Sequence, residues 1–227
     1  IDNFLKEKNS FIFESVEKGV LRGRYTVFGK NPDKIWEFNN NKSYFIKNNK
    51  KNKISGRPKK VIEKIIENFN FKLPKSVPPL SSIISGYFSY DIIRYIEKIP
   101  NKNIDDLKVP DARLIRPRTL VVHDNLKKKI FYIINCFKDE RVNDYKKKYN
   151  EILKQIEDLI FLSNFNTNIF PQLHKNKNLN NNFNKIKSNI PKSKFLNNVL
   201  KAKKYIKLGD VFQVVLSQRF EKKLTKK

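Results

Sequence analysis

The residues best placed to do chemistry stand near the C-terminal end of the chain, in "DVFQVVLSQRF" (210–220). The alternation there predicts a β-strand over Val211–Phe220. Phe212, Val214, Leu216 and Phe220 would share one side, and Gln213, Val215, Ser217 and Arg219 the other. The first side reads as core. The second is a line of amide, hydroxyl and guanidinium groups, where chemistry could be lodged. Elsewhere such residues are dispersed. His123 and His174 are far apart, and no Cys or His pair has zinc-ligand spacing. No Gly-rich phosphate loop with its lysine is present. Glu14, Asp91 and Glu97 are scattered carboxylates, no different by spacing from strand-edge or helix-surface acids.

The elements that must position these groups can be read along the chain. "FIFES" (11–15) and "RYTVF" (24–28) read as short strands, with Gly19 and Gly23 punctuating the turn between them. "DKIWEF" and "KSYFIK" continue the β character across the Asn39–Asn41 turn. Pro58 opens a helix with Val61, Ile62, Ile65, Ile66 and Phe69 on one stripe. A strand up to Tyr87 precedes a short helix through Ile93 and Ile96. Thr119–His123 and Lys129–Ile134 form a hairpin around Asp124 and Asn125. Tyr145, Tyr149, Ile152, Ile156 and Leu159 mark an amphipathic helix. The Asn- and Lys-rich stretch 163–192 has no periodicity and reads as a linker or surface insertion. Ser193 is placed to cap a further helix, with Phe195, Val199, Ala202 and Ile206 on one face and Gly209 at its end.

The 227 residues suffice for one large domain or two small ones, and 39% hydrophobic residues suffice for a core. No apolar run approaches the ~20 residues of a membrane span. A single cysteine, Cys136, cannot form an internal disulfide, which points to a reducing, cytoplasmic compartment. The absence of methionine, even at position 1, suggests a piece of a longer protein. The formal charge of +27 raises nucleic acid as a partner. The excess is spread along the chain together with Asn, Ile and Phe, residues that AT-rich codons encode. A solvated lysine-rich surface is therefore the preferred reading, with a basic nucleic-acid-binding protein as the alternative from another class.

Four stretches in order resemble component I of anthranilate synthase, a chorismate-using enzyme family. They are "FIFESVEKGVLRGRYTVFGKNPDKIW" (11–36), "SGYFSYDIIRYIEKIP" (85–100), "VPDARLIRPRTLVVHDN" (109–125) and "KAKKYIKLGDVFQVVLSQRF" (201–220). The resemblance implies an α+β fold, an antiparallel sheet and helix sandwich, here incomplete. It divides the chain into an N-terminal regulatory region (1–162), a variable linker (163–192) and the start of the chorismate-binding catalytic domain (193–227).

The implied reaction adds ammonia at C2 of chorismate, expels the C4 hydroxyl and eliminates pyruvate to give anthranilate. Ammonia would come from glutamine through an amidotransferase component II, as a subunit or fused domain. Mg²⁺ would neutralise substrate charge and assist the leaving group, held by glutamates expected beyond Lys227. L-Tryptophan would inhibit by feedback. Ser15 matches the serine of the family's "LLES" segment that contacts this effector, with Phe13 and Glu14 flanking it. Phe13 stands where Leu is usual, which would reshape the apolar wall of the pocket. Taken alone, Ser15 reads as a turn residue. Gln213 matches the position where related isochorismate-forming enzymes carry a water-activating lysine. A glutamine is no general base and suits an enzyme whose nucleophile arrives as ammonia. Taken alone, Gln213 is equally a strand amide bonded within its sheet. Aminodeoxychorismate synthase component I, of the folate pathway, is the near alternative, disfavoured by Val215 where that enzyme tends to show Asn.

Overall fold

The computed structural model describes residues 7–14, 23–47, 49–69, 72–102, 104–140, 142–164 and 186–222. The chain divides into two compact units, Ile1–Asn168 and Ile169–Lys227. In the first, the strands are β1 (Phe11–Phe13), β2 (Tyr25–Asn39), β3 (Lys42–Lys47), β4 (Lys50–Ile54), β5 (Ser85–Phe88), β6 (Ala112–Asp124) and β7 (Lys129–Ile134). Its α-helices are α1 (Pro58–Asn68) and α2 (Tyr145–Asn164), and the short helix expected through Ile93 and Ile96 is a 3-10 helix over Tyr90–Tyr95. The strands form one sheet, antiparallel at every pairing, as the α+β expectation required.

The spine of the sheet is the long β2–β6 pair, in register from Tyr25 opposite Asp124 to Phe38 opposite Ala112. Midway, Pro32 faces Pro117, and the register then slips so that Lys34 faces Arg116. Proline has no N–H to donate, so the regular ladder is interrupted here at no cost in unmade bonds. The extra residue, Asp33, is accommodated as a bulge. The break divides the spine into two halves. In one, β1 flanks β2 and β7 flanks β6, over a core of Val27, Leu120 and Val122. In the other, β3, β4 and β5 extend the sheet, over Trp36, Phe38, Ala112 and Leu114.

Helix α1 covers this second core with the Val61 and Ile65 side of its stripe. Pro58 holds its first turn in helical φ, as expected, while Ile66 on the same stripe stays exposed. In α2, Leu159 is buried, but Tyr145 and Tyr149 at the start of its stripe are exposed. The hairpin over Thr119–Ile134 forms as read. Asp124 is more than a turn residue: its carboxylate accepts the backbone N–H groups of Leu126 and Lys127 at 3.1 Å and so caps the turn. "DKIWEF" is no separate strand but the second half of β2. Strand β4, at the sheet edge, lies in a lysine-rich run that carries no alternation and was not foreseen.

The second unit holds α3 (Lys192–Lys207) and a small ribbon of β8 (Ile186–Ser188) and β9 (Phe220–Lys222). Pro191, not Ser193, is the N-cap of α3, and Ser193 lies within the first turn. The expected stop holds. Gly209 adopts φ 78°, its N–H reaches the Ile206 carbonyl, and the Asp210 N–H reaches that of Tyr205, both at 3.1 Å.

The strand expected over Val211–Phe220 is not formed: residues 211–219 are irregular and only Phe220–Lys222 pairs, with β8. Alternation specifies which face each side chain takes, but a strand exists only where a neighbouring backbone completes its hydrogen bonds. The stretch 163–192, read as a linker or surface insertion, holds the last residues of α2, to Asn164, then β8 and Lys192 at the start of α3, while 165–185 lie outside the described residues.

Candidate functional site

Strand β1 positions the first group of candidate residues. It pairs with β2 so that Phe11 faces Gly29 and Phe13 faces Val27. The Phe11 ring lies directly on the backbone of Gly29, where a Cβ would come within 2.3 Å of ring carbons. Glycine is therefore the residue that lets β1 seat against the spine. The Phe13 ring packs 4.9 Å from that of Phe11 yet remains 50% exposed, and Glu14 beside it is exposed. An apolar ring and a carboxylate, both exposed, thus stand next to each other at the end of β1. Ser15 lies outside the described residues.

Gln213 belongs to the second unit. It is exposed in the irregular segment after α3, not held in a sheet, and Phe212 next to it is 94% exposed. Nearer β9 the segment is better fixed. The Gln218 amide donates to the Ser188 hydroxyl at 2.6 Å, and the Arg219 backbone N–H donates to the Asn189 side chain at 3.0 Å. The face expected to carry Gln213, Ser217 and Arg219 together is therefore organised only at its distal end.

The sequence reading missed an ionic cluster at the bulge of the spine, with Arg116 and Asp33 buried and Lys34 and Asp139 at its more exposed side. The bulge aims Asp33 across at Arg116, which it engages through both carboxylate oxygens. Arg116 also reaches Asp139 at 2.9 Å, and Lys34 pairs with the other oxygen of Asp139. Burial pushes the Asp139 carboxyl up, but the hydrogen bonds from Lys34 and Arg116 outweigh it and hold the group at about 2. The Arg116 guanidinium lies 3.7 Å from the centroid of the Phe137 ring.

Next along the same loop, Arg118 donates to Glu140 at 2.8 Å, and Glu140 accepts the backbone N–H of Phe137 at 2.9 Å. The buried Asn135 amide ties the loop start to the Ser81 carbonyl at 3.0 Å. At the far end of the spine, Arg24 grips Asp124 at 3.0 and 2.7 Å, and this hydrogen bonding depresses the Asp124 carboxyl to about 2. The available signal for the cluster was the pairing of "NPD" with "IRPR". Each places a charge beside a proline, but nothing in either stretch says that the two will face each other.

Among the described residues no group of three or more His, Cys, Asp and Glu side chains could hold a metal ion. Among the same residues no helix is long and apolar enough to cross a membrane.

Residues 9–227 match the family of chorismate binding enzymes. The chain belongs to this family. Within it, the chain is 35% identical over 210 residues to "Anthranilate synthase component 1" of Acetivibrio thermocellus, covering 92% of this chain and 42% of that protein. It is 32% identical over 232 residues to the protein of the same name from Aquifex aeolicus, covering 96% of this chain and 44% of the relative. The crystal structure of anthranilate synthase component I from Streptococcus pneumoniae TIGR4 shares the fold, with a TM-score of 0.69 at 24% identity over 97% of this chain and 46% of that one. The chain spans less than half the length of these relatives.

Proposed function

We propose that this chain is the N-terminal part of the component I subunit of an anthranilate synthase, acting in tryptophan biosynthesis. The complete subunit converts chorismate and ammonia to anthranilate and pyruvate. The observation that carries the proposal is the 35% identity with an anthranilate synthase component 1 across 92% of this chain. The relatives compared above bear the anthranilate name, which disfavours the aminodeoxychorismate alternative. Ammonia is delivered by a glutamine amidotransferase component II. Mg²⁺ is held by residues outside this chain, and the compartment is the cytoplasm.

In this reading Phe13, Glu14 and Ser15 form one wall of a tryptophan pocket. The exposure of Phe13 and Glu14 at the end of β1 supports that role, because an effector must reach them. Gln213 faces the reacting centre once the remaining walls are supplied. A protein site adds catalysis only when its groups are fixed in place, and Gln213 is exposed in an irregular segment. The 227 residues alone should therefore form no anthranilate.

The test is turnover of chorismate by the complete protein with ammonia and Mg²⁺, followed by product identity. Anthranilate with release of pyruvate is expected. Accumulation of aminodeoxychorismate without pyruvate would overturn the reading. In the same protein Ser15→Ala should weaken tryptophan inhibition by about tenfold, roughly one hydrogen bond to a charged group, and leave uninhibited turnover intact. An unchanged inhibition curve removes Ser15 from the pocket.

A further inference from the structure

The ionic cluster forms one side of a cavity of about 690 Å³ between α1, the spine and the loop after β7. Its lining falls into two chemically distinct parts. The walls are apolar: Trp36 from β2, Val61 and Ile65 from α1, and the Phe137 ring. Arg116 lies over that ring and is immobilised by Asp33 and Asp139. The rim carries lysines, beside an Asp139 carboxylate that Lys34 and Arg116 already pair. Lys64 on α1 and Lys138 on the loop stand on it, both exposed, and neither makes an ion pair among the described residues.

A solvated lysine on a convex surface is ordinary. Two lysines from separate elements, converging on an apolar cavity of small-molecule size, are a selective arrangement. Ligand pockets commonly measure about 300–1,000 Å³ and combine apolar walls with a few convergent polar groups. Among the described residues the cavity is lined by no residue of β1 and not by Glu14.

We propose that this cavity binds a small planar apolar molecule carrying an anionic group, a carboxylate or a phosphate. Its rings lie against Trp36, Val61 and Phe137, and its charge is met by Lys64 and Lys138. Arg116 is a wall of the site more than a ligand for the anion, because Asp33 and Asp139 hold its Nε and Nη2 and its plane lies over the Phe137 ring, which leaves only Nη1 to turn to a ligand. The specificity follows from this division. A neutral ring system gains only the apolar walls, and a bare anion only two solvated lysines.

Trp36 is the only tryptophan in the chain, so its indole N–H gives a single reporter resonance inside the cavity. The probes are 1-naphthoate, 1-naphthyl phosphate and the neutral 1-naphthalenemethanol, titrated into the ¹⁵N-labelled 227-residue chain. Saturable movement of the Trp36 indole signal by at least one anion is expected, with the neutral isostere weaker by about tenfold, as expected of a charge contact worth ~1.4 kcal/mol. The arm that binds more tightly names the anionic group.

Lys64→Glu with Lys138→Glu should weaken the anions by tenfold or more and leave the neutral probe unchanged. Both lysines are exposed, so the variant keeps the fold, and the unliganded indole resonance verifies this. The proposal is overturned if no anion moves the Trp36 signal saturably. It is equally overturned if the charge reversal leaves anion affinity unchanged, or if the neutral probe binds as well as the anions.

Discussion

The spine strands and the segment after α3 share a sequence character and differ in outcome. Both carry β-branched or aromatic residues interleaved with polar ones. β6 nevertheless buries Leu120, Val122 and Asp124 completely or nearly so, while residues 211–222 include none that is buried. The difference is one of partners. β6 has β2 along one side and β5 and β7 along the other. The 211–219 segment has no strand beside it among the described residues. Side-chain pattern decides how a strand would face; backbone neighbours decide whether it forms.

This contrast can be broken at its strongest point first. Phe38→Ala removes a fully buried ring from the second core and should cost about 3–5 kcal/mol. Phe212→Ala removes an equal ring that is almost wholly exposed and should stay within about 0.5 kcal/mol. Urea titrations of the two variants compare them directly. Similar losses would mean that the 211–219 segment is packed in solution.

The bulge cluster comes next. Asp33→Ala leaves the buried Arg116 with Asp139 as its remaining carboxylate, and should cost about 3 kcal/mol. The double variant Asp33→Ala with Arg116→Met should recover part of that loss, because the orphaned charge is gone. A double variant no more stable than the single one would show that the cluster is worth more than the removal of its charges.

Two glycines sharpen the comparison at smaller scale. Gly29→Ala must displace the Phe11 ring and should cost about 2 kcal/mol, a typical overpacking penalty. Under the proposed function it should also disturb tryptophan inhibition in the complete protein, through β1. Gly209→Ala meets nothing within 4 Å, so only its positive φ resists, at about 1 kcal/mol. Its signature is a frayed α3 end by amide exchange, with the unfolding midpoint of the sheet unchanged.

The smallest effect is the acid limb. The Asp124 and Asp139 carboxyls lie at about 2 in the folded protein, below the ordinary value of about 3.9. Their contribution is complete above the ordinary value and is lost as pH falls from about 4 towards 2. Asp124→Asn should flatten the fall of the unfolding midpoint across that window. A slope identical to the parent's would assign acid sensitivity to other groups.

Much of the fold was readable because it rests on local signals. Pro58 opens α1, Asp124 and Asn125 turn β6 into β7, and Gly209 closes α3, each through backbone chemistry confined to a few residues. The bulge was hidden because Pro32 and Pro117 acquire meaning only when paired, more than eighty positions apart. β4 was hidden because its lysines mask the period that a half-buried strand shows. Of the candidate site, the placement of Phe13 and Glu14 at a strand end was legible from "FIFES". The setting of Gln213 was not, since it depends on neighbours that the segment itself cannot name.

The lysines of β4 acquire a purpose from where that strand lies. It ends the sheet on one side, with Lys50, Lys51 and Lys53 along an exposed strand. An open edge invites a second molecule to add its own strand, the first step of aggregation. Two such edges meeting here would bring like charges together, apart from Lys51, which Glu37 neutralises at 2.8 Å. Part of the positive excess should thus oppose edge-to-edge pairing of copies of the chain, and that protection should fade as salt screens it.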